Sequence, residues 1–126
     1  MKYLVVVSLV FAGIIHLLPL SGVLGASRLA SLYGVAVEDP NLAVLMRHRA
    51  VLFGLLGIFL IYAAFRPEMQ SAGFVAGFVS VGAFLWLGWS TGYLNAHLGR
   101  VVIVDVVAAV VLILGACVRW WPERVA

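Results

Sequence analysis

Four separated apolar runs, each close to the length of a membrane crossing, constrain this chain more than any other feature. A helix needs about 20 predominantly apolar residues to cross about 30 Å of hydrocarbon, because it rises about 1.5 Å per residue. The runs fall at about residues 3–20, 43–65, 70–92 and 101–121. None alternates apolar and polar positions over about ten residues, as a membrane barrel strand must. Of the 126 residues 65% are hydrophobic and 10% charged, whereas soluble domains carry about 25% charge. The expected fold is all-α: one integral membrane four-helix transmembrane bundle over residues 1–126, with a short interfacial helix between helices one and two.

The first run follows Lys2 and ends at Pro19-Leu20-Ser21-Gly22. It is longer than the apolar core of a cleaved leader and contains His16, so it is expected to stay as a span. Ser8, Ala12, Gly13 and His16 share one face, whose small side chains suit a close helix contact. The connection that follows mixes Leu29, Leu32 and Tyr33 with Arg28 and Ser31, which places the interfacial helix at about residues 26–33. Asp39-Pro40 marks the start of helix two: the aspartate can accept from free backbone N–H groups, and proline has none to leave unpaired. Arg66-Pro67-Glu68 ends that helix and begins the third, making an antiparallel hairpin.

In helix three, Gly73 and Gly77 form a G-x-x-x-G pair. It serves packing within the bundle or, as the second reading, contact with another copy or a membrane protein partner. Trp86, Trp89 and Tyr93 gather at the far end of that helix, as in an aromatic belt. Residues 93–100 read as a polar connection, and helix four follows from about Val101 with Asp105 one turn inside. Lys2, Arg66, Arg119 and Arg124 flank the terminal side; Arg28, Arg47, Arg49 and Arg100 flank the other. The count is even, but arginines on the second side have acids to pair with, so both termini are expected in the cytoplasm.

All three histidines, His16, His48 and His97, fall on the side away from the termini, as do Asp105, Asn95, Trp89 and Tyr93. An aspartate inside a membrane helix marks either a functional site or a buried ion pair. In the functional reading Asp105 and His48 are the catalytic candidates, the first taking a proton and the second shuttling it. Arg47 and Arg49 would hold a ligand's polar head, together with His16, Asn95, His97 and Arg100, while Trp86, Trp89 and Tyr93 line its apolar part. In the competing reading Asp105 forms a salt bridge to Arg47, Arg49 or Arg100 that fixes helix four against helix two. Neighbouring helical residues point about 100° apart, so only part of the Arg47-His48-Arg49 trio can face inward. Lipid phosphate would satisfy the rest.

The histidines lack a ligand spacing such as H-x-x-x-H, and the single Cys117 lies far from them, so neither a metal ion nor any other cofactor is expected. There is no phosphate-cradling loop, no nucleophile elbow and no basic run suited to nucleic acid.

Leu32-Tyr33-Gly34, and His48-Arg49-Ala50-Val51-Leu52-Phe53-Gly54 opening helix two, join the four spans in a layout that resembles the small bacterial DoxX-like membrane proteins. The resemblance covers most of the chain. It implies the fold and a bacterial inner-membrane location, and no particular reaction. The mixture of acids, histidine and tryptophan is also similar to that of membrane isomerases of sterol-like substrates. The expected function is to bind an apolar molecule with a polar head, such as a lipid, quinone or isoprenoid, with action on that molecule as the further reading. The alternative is a structural or accessory membrane subunit whose charged cluster only locks helices together. Transport ranks third, because four short helices enclose little volume. Membrane lipids are the expected partners, with a homo-oligomer or membrane protein partner through the Gly73/Gly77 face.

Overall fold

A computed structural model describes residues 2–25, 30–31, 33–34, 38–92 and 94–120. Among them, all regular structure is helical. Helix α1 (Lys2–Leu17) passes into a 3-10 helix over Leu18–Leu24, followed by α2 (Pro40–Ala64), a 3-10 turn (Pro67–Met69), α3 (Gln70–Thr91) and α4 (Ala96–Arg119). The stretches Tyr3–Leu20, Pro40–Ala64, Pro67–Thr91 and Ala96–Arg119 are long and apolar enough to cross a membrane. The chain has the build of an integral membrane protein.

Local chemistry sets the helix starts. The Asn41 N–H donates to Asp39 Oδ1 at 2.9 Å, and Pro40 occupies the first turn of α2. Helix α4 begins five residues earlier than its apolar run suggests, because the Leu98 N–H donates to the Asn95 side chain at 2.8 Å. An asparagine cap satisfies one of the donors that every helix start leaves free. His97 and Arg100 therefore lie on the first turns of α4 instead of in a connection, and Asp105 lies about 14 Å along the helix axis. The expected interfacial helix falls mostly outside the described residues, as does Tyr93. Within that segment the Gly34 N–H donates to Ala30 O at 2.8 Å.

Glycines give the topology. A Cβ built on Gly57 would stand 2.7 Å from Gly13 O, and one on Gly54 would stand 2.7 Å from Leu20 Cδ1, so α1 and α2 run antiparallel with their backbones in contact. A Cβ on Gly73 would meet that of Ala63 at 3.0 Å, and one on Gly77 would meet Leu112 Cδ1 at 3.2 Å. Gly115 packs on Ser8, which returns α4 to α1. The helices thus run up, down, up and down around a ring, with α1 held between α2 and α4 and α3 closing the far side. Leu9, Leu60, Phe74, Val81, Ala108 and Leu112 fill the centre.

Gly73 and Gly77 are buried in this bundle, facing α2 and α4. That position fits the packing reading and leaves the pair covered, not open to a partner. Ser8, Ala12, Gly13 and His16 are likewise all buried. Leu45, Leu55, Val79 and Ile103 point outward, as a lipid-facing surface requires.

Candidate functional site

All four helices contribute to one cavity of about 280 Å³ at the end away from the termini. Its apolar wall is made by Ile15, Leu18, Pro19, Phe53, Phe84, Val101 and Val104. The polar groups reaching it are His16 from α1, Ser31 and Tyr33 from the connection, Arg49 from α2, and His97, Arg100 and Asp105 from α4.

His16 is buried and fully engaged. Its Nδ1 lies 2.7 Å from Ala12 O, which can only accept, so Nδ1 carries a proton and donates. In the neutral ring Nε2 then accepts the Ser80 hydroxyl at 2.8 Å, linking α1 to α3 across the bundle. The ring also lies against Phe53, with centroids 5.7 Å apart.

Arg49 is held by two aromatic side chains. Its Nη1 donates to the Tyr33 hydroxyl at 2.9 Å, and its guanidinium stands 4.5 Å from the Phe53 ring centre and 5.2 Å from that of Tyr33. Such stacking suits the planar, weakly hydrated guanidinium better than it would a lysine. Tyr33 is itself buried, packed on Ala43, Met46 and Leu98. Asn95 holds this turn in place: while its Oδ1 caps α4, its Nδ2 donates to Tyr33 O at 2.9 Å and reaches Gly34 O at 3.3 Å. Gly34 has φ +67° and lies so close to His97 that a Cβ would stand 2.6 Å from Nδ1. Glycine is required there by both backbone and space.

Asp105 is half-buried on the facing wall. Among the described residues, no guanidinium nitrogen of Arg47, Arg49 or Arg100 comes within 4.0 Å of its carboxylate. Arg49 acts on it through its charge across the cavity. The cavity thus opposes a donor-only cation to a carboxylate, with apolar walls between them. Such a site can orient a head group and exchange a proton with it.

Of the residues singled out from sequence, His16, Arg49, His97, Arg100 and Asp105 come together here. Asn95 positions the turn without lining the cavity. Arg47 and His48 are exposed on other faces of α2, away from the cavity. Trp86 and Trp89 are 63% and 75% exposed and pack on each other with ring centres 5.6 Å apart, outside the cavity. Tyr33, Phe53, Phe84 and the Ser80 partner of His16 were not singled out as site residues from sequence. Tyr33 and Phe53 carried a signal, as parts of the Leu32-Tyr33-Gly34 turn and of the His48–Gly54 stretch that opens helix two. Although His16, His97 and Asp105 line one space, no three His, Cys, Asp or Glu side chains among the described residues group as metal ligands. Comparison with protein-family models, curated proteins and solved structures gave no match, so the reading of this site rests on its geometry.

Proposed function

We propose that this chain is a bacterial inner-membrane protein, with both termini in the cytoplasm, that binds an apolar molecule with a polar head in the cavity at its opposite mouth. Lipids, quinones and isoprenoids belong to that class. The observation carrying the reading is the opposition of Arg49 and Asp105 across apolar walls without direct contact. An ion pair made only to lock helices would close that distance, because burying either charge alone is costly. This separation favours the binding reading over that of an accessory subunit. Asp105 is also the group suited to move a proton to or from a bound head, with His97 in the same lining on the first turn of α4. Kinship with the DoxX-like group belongs to the same proposal and rests on the Tyr33-Gly34 turn and the opening of α2.

The test is mass spectrometry of amphiphiles retained through purification in a neutral detergent. The wild type is expected to retain one that Asp105→Asn and Arg49→Gln both lose, while each variant still elutes as a single folded species. Loss of fold in both variants, with no amphiphile found on the wild type, would return the cluster to a structural role. A reporter fused to the C-terminus and read for cytoplasmic activity tests the orientation.

A further inference from the structure

Building on the reading that the cavity holds an amphiphile, we infer that the head it takes is a phosphate monoester. Arg49 can only donate hydrogen bonds. One donor, on Nη1, goes to Tyr33. Its other nitrogens meet no acceptor among the described residues, and the side chain lines the cavity. Arg100, exposed on the first turns of α4, is the second arginine of the lining, while Asp105 is the one carboxylate there. The lining therefore carries two permanent cations and one acid, an imbalance that an anionic guest corrects.

Charge alone would admit any oxyanion. Asp105 narrows the choice, because an ionised carboxylate only accepts. A phosphate monoester in its singly charged form offers both complements: oxyanion oxygens for Arg49 and Arg100, and one P–O–H to donate to Asp105. A fatty carboxylate has no proton to donate and would be repelled by Asp105. An alcohol or a quinone brings no charge for the arginines.

Size and shape agree with a single-tailed guest. A space of about 280 Å³ accommodates a head and its first carbons. Leu18, at the start of the 3-10 helix that follows α1, and Val104 of α4 line the cavity and are also exposed. The apolar wall thus continues past these two residues to the lipid-facing surface, along the path a tail would take.

The test uses the intact protein in a neutral detergent and native mass spectrometry, with dodecyl phosphate, laurate, dodecanol and inorganic phosphate each added alone. Dodecyl phosphate is expected to bind tightest of the four. Arg49→Gln should weaken it by roughly tenfold or more, the scale of a lost hydrogen bond to a charged group. Asp105→Asn should narrow the gap between dodecyl phosphate and laurate by removing the repulsion. Laurate or dodecanol binding the wild type as tightly as dodecyl phosphate overturns the head assignment and leaves the amphiphile reading standing. Inorganic phosphate binding as tightly overturns the need for a tail. If none of the three amphiphiles binds, the proposed function itself fails.

Discussion

At the end of the bundle that holds the termini, Arg66, Glu68 and Gln70 find their partners close by in the chain; at the other end polar side chains turn inward. On the terminal side Arg66 Nε donates to Glu68 Oε1 at 2.8 Å, with both side chains more than half exposed. Gln70 Nε2 donates to Ala64 O at 3.1 Å, finishing α2. Across the membrane, His16 bridges two helices, Arg49 is clamped between aromatic rings and Asn95 ties a turn to a helix start. The first arrangement is one that water could largely replace. The second fixes side chains in space while leaving Arg49 and Asp105 with hydrogen-bonding capacity to spare. Arg119 on the terminal side also keeps a buried Nε without a partner among the described residues, but it lines no cavity shared with an acid, as Arg49 does.

Several substitutions can break or sharpen this contrast. The largest effect is expected from Gly57→Val, where the two ends share a scaffold. A Cβ there stands 2.7 Å from Gly13 O, so the α1–α2 crossing must open, at a cost of about 3 kcal/mol or more. Size-exclusion chromatography should find no monodisperse protein, and a well-behaved variant would mean that the helices do not touch at this point. Next comes His16→Leu, expected to cost about 2 kcal/mol in reversible unfolding because Ser80 loses its acceptor and the ring its packing. Glu68→Gln at the opposite end should leave the melting temperature unchanged. Equal shifts from these two would erase the contrast.

Asn95→Ala should cost about 1 kcal/mol, the usual penalty for a lost cap. Hydrogen exchange should quicken at the Leu98 amide, whose N–H loses its partner. Unchanged exchange there would show that the cap is dispensable. The smallest effect belongs to Tyr33→Phe, which keeps the ring beneath Arg49 and removes only the acceptor at 2.9 Å. Stability should fall by about 1 kcal/mol or less, while ligand retention by mass spectrometry drops; retention at the wild-type level would relieve Tyr33 of any part in aiming Arg49.

The spans and the start of α2 were legible because each depends on local chemistry: the length of an apolar run, and a proline behind a capping aspartate. The close-packed face of α1 was legible too, since Ser8, Ala12, Gly13 and His16 are small or polar in a run of large apolar residues. The inward member of Arg47-His48-Arg49 was not. Helix α2 is apolar around most of its circumference, so its sequence holds no stripe from which to tell a core face from a lipid face. Its neighbours, and not its periodicity, select Arg49. Trp86 and Trp89 mislead for the same reason, as aromatic residues near a helix end serve a lipid boundary as readily as a cavity. The start of α4 was within reach, because Asn95 is a good capping residue, but its polar neighbours read as a connection.

The hydrogen bond from Ser80 to His16 has a consequence for how this bundle finds its shape. Between helices covered in methyl groups, sliding by one turn exchanges one set of apolar contacts for another at little cost, and lipid is as good a neighbour as leucine. A directional bond has no such substitute. With Nδ1 pinned to its own helix at Ala12, the His16 ring is a strut of fixed reach whose far end fits Ser80 in one register. A single polar contact can thus select among otherwise near-degenerate packings, much as one buried asparagine sets the alignment of a coiled coil. The price of slippage would be felt at the cavity first, since His16 forms part of its wall.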